Sequence, residues 1–285
     1  MRRLTMLSRK LLTIVFLGST IATPALAGIV VDGNIDDWLT PGDKATWSVN
    51  NPGIHRAVED QTGSGAFYLS PGWGGQAYDS EALFATIIGE KLFIALATGH
   101  NPTITTDAGA NRFGAGDFAI DFGRNKTFEM GINTYRASTN ASDAFGDVGG
   151  VYRVTDWYYG LWNAAGKEAA KSTTDKTPDQ THPTSIRAGT KLGSATYAVS
   201  SAPKTGYGVN LSDQHYFYEM SVDLSLLRAG GWDGSSAFDI HWTQNCANDS
   251  ISVDPANYVP EPGSMALLTA GLLGLAGMRR RKLAS

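Results

Sequence analysis

The chain is short of most things that announce chemistry. It has one cysteine, Cys246, in 285 residues, so no disulfide can form within it and a buried small hydrophobe is the expected role of that side chain. Charged residues make up only 18% of the sequence. No apolar run reaches the ~20 residues that comfortably cross a bilayer. There is no G-x-S-x-G, no H-E-x-x-H and no C-x-x-C. The five histidines, His55, His100, His182, His215 and His241, have no metal-ligand spacing, and His241 reads as a satisfied core histidine. Gly114-Ala115-Gly116 is not followed by a helix-forming stretch, which removes a dinucleotide fingerprint. Long helical periodicity and internal repeats are missing as well.

What is present is concentrated first at the two ends. Arg2, Arg3, Arg9 and Lys10 precede an apolar stretch, Leu11 to Ala22, and an A-x-A site, Ala25-Leu26-Ala27. Residues 1–27 therefore read as a secretory signal peptide with a signal helix, cleaved after Ala27. At the other end, Pro260-Glu261-Pro262 is followed by an uncharged, mostly apolar stretch, Met265 to Met278, and then by Arg279, Arg280, Arg281 and Lys282. A short hydrophobic helix closed by a basic cap is a temporary anchor whose positive end stays on the cytoplasmic side. With both ends set aside, residues 28–260 keep 15 basic residues against 26 acidic ones, a net charge of −11. Such a surface excludes nucleic acid as a partner, which needs basic patches, and favours neutral ligands or cations.

The three parts of the tail, in this order at this place, resemble the PEP-CTERM sorting signal, also known as an ice-binding protein C-terminal domain, a name that by itself is no evidence of ice binding. The resemblance covers residues 259–285. It implies delivery by Sec-type export machinery and transient anchoring in the membrane. An exosortase-like membrane transpeptidase would then cut near Pro260-Glu261-Pro262 and release the body to the outer surface or the extracellular matrix.

The body, residues 28–258, reads as one all-β domain. Gly, Ser, Thr, Asn and Asp are plentiful, and apolar stretches are short. Gly28 to Asp32 is expected as a first strand, followed by an Asx-rich turn with Trp38 packed beneath it. Asp32, Asn34, Asp36 and Asp43 fall at calcium-loop spacing, but Asp37 replaces the required glycine, which argues against an EF-type loop. Residues 39–65 read as irregular, and Ala66 to Leu69 as a short strand. Glu81–Ile88 and Lys91–Thr98 flank Gly89-Glu90 and predict a hairpin buried in the core. Further strands are expected at Gly116–Gly123, Phe128–Ile132, within the aromatic stretch Val151–Trp162, and at Thr196–Val199, His215–Val222 and Phe238–Trp242. Asp223 would start a short helical turn that ends at Gly230-Gly231. The sum is a two-sheet antiparallel β-sandwich, jelly-roll-like.

Val31-Asp32-Gly33, Asp36-Asp37-Trp38, Leu92 to Ala95, Gly116 to Asp121 and His241-Trp242 together resemble the family 9 carbohydrate-binding-module and DOMON-like sandwiches. That resemblance implies sugar binding, sometimes haem, for which Met130, Met220 or His215 could serve as axial ligand, and often a structural calcium ion. Aromatic platforms stack on sugar rings. Trp73 and Trp232, beside glycines in loops, and Trp157 and Trp162, around an aromatic cluster, are the candidates, with core packing as the competing role for each. Trp38 and Trp242 are expected in the core. Glu81, Asp117, Asn248 and Asp249 sit at the ends of the resembling motifs and are the candidate calcium ligands, or else caps for turns. The function expected is a non-catalytic, surface-sorted protein that binds or organises extracellular polysaccharide. Two alternatives stand beside it: a purely structural matrix protein, and a glycan-cleaving enzyme with two facing carboxylates.

Overall fold

A computed structural model of the chain describes residues 28–60, 75–104, 114–134, 147–159, 182–245 and 249–255. Two open antiparallel sheets lie face to face. The first contains β1 (His55–Val58), β2 (Ser80–Ile88), β3 (Lys91–Thr98), β9 (Tyr216–Asp223) and β8 (Thr196–Val199), in that spatial order. The second runs β11 (Ser250–Val253), β10 (Phe238–Thr243), β4 (Phe118–Phe122), β5 (Met130–Ile132), β6 (Gly150–Tyr158) and β7 (Ser185–Ser194). One short helix, α1 (Leu224–Gly230), follows β9 directly.

Side chains alternate across a strand, so each strand supplies two faces. Leu83 and Ala85 of β2, Leu92, Ile94 and Leu96 of β3, and Tyr218, Met220 and Val222 of β9 face inward. They meet Phe118, Ile120, Met130, Ile132, Val151, Phe238, Ile240 and Trp242 of the second sheet. This is the main core. The predicted hairpin is present with Ile88 opposite Lys91 across the turn, and its near-continuous apolarity has a clear cause. The alternate residues Ala82, Phe84, Ala95 and Ala97 are also buried, under a second cluster built by Ile35, Trp38, Leu39, Trp47 and Ile54. The first sheet is therefore covered on both faces.

The cover is a loop where the sequence suggested a strand. Gly28 to Asp32 forms no ladder because its N–H groups are taken by side chains. Val30 donates to Asp37 Oδ2 at 2.7 Å. Asp32, Gly33 and Asn34 all donate to Glu219 Oε2, at 3.1, 2.7 and 3.0 Å, and the Trp38 indole donates to Glu219 Oε1 at 2.8 Å. Gly33 has φ +84, and a Cβ there would stand 2.6 Å from the Val199 backbone, so only glycine brings the loop this close. Asp32 makes the expected Asx turn with Asn34, while Asp36 pairs with Lys44 and Tyr207. These acidic residues are spent on turns rather than gathered round an ion.

Three strands were not foreseen. β1 lies in the stretch read as irregular, β7 is an edge strand interrupted by Gly189 and Gly193, and β11 has four residues. The expected strand at Ala66–Leu69 falls outside the described residues. α1 begins after Asp223, although the Asp223 side chain makes no capping bond because it pairs with Lys91.

Burial pushes the Glu219 carboxyl up to about 7 from an ordinary 4.5, against the pull of its four donors. A carboxyl raised on folding contributes stability that is complete below about pH 4.5 and is lost as pH rises through 7. Glu219→Gln should therefore lose less stability than the wild type between pH 5 and pH 8 in urea titrations. Glu219→Ala should cost about 3 kcal/mol or more, because it leaves several buried donors without an acceptor.

Candidate functional site

The strongest gathering of chemistry lies where β1 ends and β2 and β11 begin. Glu59, one residue past β1, donates its N–H to the Glu81 carbonyl at 2.9 Å. The β2–β3 ladder shifts register between Ser80 and Ala82, and such a bulge re-aims the side chain it carries, here Glu81. The Asp79 backbone is pinned, its carbonyl accepting from Thr98 Oγ1 at 2.6 Å and from the Gly99 N–H at 3.0 Å. Asp249 comes from the other sheet and crosses to the first: its Oδ2 accepts the Ser80 N–H at 2.7 Å, and its Oδ1 the Ser250 N–H at 2.8 Å. Asp60 Oδ2 accepts from the Trp47 indole and from the Val209 N–H, at 2.8 and 2.7 Å.

The electrostatics of this group are one-sided. Asp79, Glu81 and Asp249 are 0–1% exposed. No lysine or arginine pairs with Glu59, Asp60, Asp79 or Glu81 among the described residues. His215 Nδ1 lies 3.2 Å from Glu81 Oε1, its Nε2 faces the Tyr207 carbonyl, and the Gln76 amide donates to Glu81 Oε1 at 2.6 Å. Burial, reinforced by Asp249, raises the Glu59 carboxyl to about 8. Burial, then Glu81, Asp249 and Asp60, raises Asp79 to about 10. Both oxygens of Asp79, Glu81 Oε2 and Gln76 Oε1 are buried with no hydrogen-bond partner.

Of the four candidate calcium ligands, the structure brings Glu81 and Asp249 together. Asp117 is elsewhere and fully engaged: its two oxygens accept the Thr134 and Ile186 N–H groups at 2.8 Å each, tying β4 to the chain after β5 and to β7. Asn248 lies outside the described residues. Glu59, Asp60 and Asp79 belong to the cluster but were not singled out from the sequence. The one available signal was the pair Asp79 and Glu81, two carboxylates bracketing a serine at the mouth of an apolar strand. As the side chains stand, no three carboxylate or imidazole groups among the described residues form a finished metal cage.

The aromatic candidates divide differently. Trp232 is 3% exposed, packs edge-on against Phe238 and donates to the Ser236 carbonyl. Trp157 is 5% exposed and donates to the Phe128 carbonyl. It lies across Gly131 on the outer face of the second sheet, where a Cβ would come within 2.6 Å of its ring. Both rings serve as packing, and neither presents a sugar platform. Trp73 and Trp162 lie outside the described residues, as do Ala25, Ala27, Pro260, Glu261, Pro262, Arg279, Arg280 and Arg281. Trp38 and Trp242 are core residues as expected, and His241 is bonded through both ring nitrogens, to Ser252 and Thr243. Among the described residues no helix is long and apolar enough to cross a membrane, and the stretch Met265 to Met278 is not among them.

Gly131→Ala should lower the unfolding free energy by about 1–3 kcal/mol, the usual cost of overpacking, because Trp157 and Ile186 occupy the space the methyl needs. Thermal unfolding followed by tryptophan emission measures it.

Comparison with known proteins bears on the tail. No curated protein matches the chain, and no solved structure does, so the likeness of the body to carbohydrate-binding sandwiches has no support from that side. Residues 259–282 match the family model of the PEP-CTERM protein-sorting motif. The chain thus carries the sorting signal of exported proteins that pass to an exosortase-type membrane enzyme.

Proposed function

We propose that the chain is delivered by Sec-type export, held briefly in the membrane by its C-terminal helix, and cut near Pro260-Glu261-Pro262. The β-sandwich then resides at the outer surface or in the extracellular matrix. There it binds or organises polysaccharide without catalysing a reaction. The observation that carries this reading is the sorting motif at residues 259–282. The body's acidity favours neutral glycans over polyanionic ones. Its gathered carboxylates argue against glycan cleavage, since Asp79, Glu81 and Asp249 are sealed from any substrate. The burial of Trp157 and Trp232 favours a second reading, in which the sandwich is a structural component of the matrix with no sugar site of its own.

Alanine at Pro260, Glu261 and Pro262 should hold the protein in the membrane fraction of an exosortase-bearing host, while the unaltered chain moves to the surface or medium. Fractionation and immunoblotting measure this. The two readings of the body separate in a glycan titration of the purified protein followed by tryptophan emission. A saturable shift with a neutral oligosaccharide is the outcome expected of a binding module. A flat response across a broad panel selects the structural role.

A further inference from the structure

We propose that Asp79, Glu81 and Asp249 hold one hard divalent cation of the calcium kind, and that this ion fastens the two sheets to each other at the flank where β1 and β11 lie. The inference begins with Asp79. It is fully buried, and no donor reaches either of its carboxylate oxygens. Buried polar atoms are almost always satisfied, and a buried charge without a partner is among the costliest features a fold can carry. Glu81 adds a second buried oxygen without a partner.

The Asp249 carboxyl stands within hydrogen-bonding reach of Asp79. Two acceptors that face each other with no donor between them are held by a shared proton or by a shared cation. The surroundings favour the cation. Glu59 and Asp60 add two further carboxylates to the local field, and no described lysine or arginine offsets them. Gln76 Oε1 supplies another buried oxygen without a partner, beside Glu81.

The donor set selects the class of ion. Every free atom is an oxygen. His215 has both ring nitrogens directed elsewhere, to Glu81 and to the Tyr207 carbonyl, and the cluster has no thiol among the described residues. Carboxylate and amide oxygens suit calcium or magnesium rather than zinc or copper. Calcium accepts six to eight oxygens in loose geometry and keeps water among them, so two or three carboxylates, an amide oxygen and water complete a site that the protein groups alone leave unfinished.

The position gives the ion its role. Asp79 and Glu81 belong to the first sheet and Asp249 to the second, and β11 packs against β1 and β2. Asp249 already donates nothing and accepts from both sheets, through Ser80 and Ser250. An ion on its remaining lone pairs makes the same residue a bolt between them.

Trp47 is a built-in reporter: its indole bonds Asp60 and its ring meets His215 edge-on at 5.4 Å. The test uses the purified full chain, stripped with a chelator and titrated with calcium chloride. One ion should bind per chain by isothermal titration, the emission should shift, and the thermal midpoint should rise by about 5–10 °C at a hundredfold excess over Kd. Asp79→Asn should abolish the rise, and its metal-free form should melt above the metal-free wild type, because the uncompensated charge is gone. Asp117→Asn should melt lower yet keep the calcium shift, which separates general damage from loss of the ion. No binding of calcium or magnesium to the stripped wild type overturns the proposal, and so does a full calcium shift in Asp79→Asn.

Discussion

A sheet that is apolar on both faces needs two covers, and the arrangement of the first sheet follows from that constraint. Its inner face meets the second sheet. Its outer face, with Phe84, Ala95, Ala97 and Phe217, would otherwise lie bare to water. The N-terminal segment supplies the second cover, and it does so without strand pairing along residues 28–34. One carboxylate in the middle of β9 gathers three successive backbone N–H groups and an indole. With the loop latched there, Ile35, Trp38 and Leu39 are delivered to the face they bury. Glu219 shares that face with Phe217, so the latch sits inside the apolar surface it helps to close.

The second sheet solves the same problem at smaller scale. Its outer face carries a cluster of Ala119, Tyr152, Val154, Trp157 and Ile186. Gly131 on β5 leaves the recess into which Trp157 and Ile186 settle. Here an aromatic ring that could have served a ligand is used as covering instead, and its polar atom is satisfied by the Phe128 carbonyl. Burial of that kind is invisible in the local sequence. The stretch from Tyr152 to Tyr159 is equally rich in aromatics whether it faces a sugar or its own sheet, and a glycine two strands away decides between them.

The parts of the fold that were legible in the sequence are those where local pattern and tertiary environment agree. The hairpin at β2 and β3, the strand Phe118–Phe122, the strand Thr196–Val199 and the turn at Asp223 followed by α1 all show it. Gly28 to Asp32 shows the reverse. Its β-branched residues fit a strand, but distant carboxylates, Glu219 above all, outbid a ladder for its N–H groups. β7 has too many small and polar residues to announce itself, because one side of it is an exposed edge. The carboxylate cluster was half legible. Glu81 and Asp249 could be named from their motifs, but Asp79, Glu59 and Asp60 join them only through the pairing of β1 with β2 and the bulge at Glu81, which no spacing rule encodes.

The corner between β7 and β8 sets the mechanical character of the whole. These two strands form facing edges of the two sheets, and they are separated by a single residue, Ala195, whose N–H is bonded to the Gly149 carbonyl. On that flank the sheets are joined by the covalent chain itself. On the opposite flank, β1 and β11 are separate pieces of chain that meet only through side chains and hydrogen bonds. The sandwich is therefore built like a hinged locket, with a spine that pulling cannot part and a rim that it can. Under the shear of flowing water the rim is where it yields first, and Asp249 is the clasp on that rim.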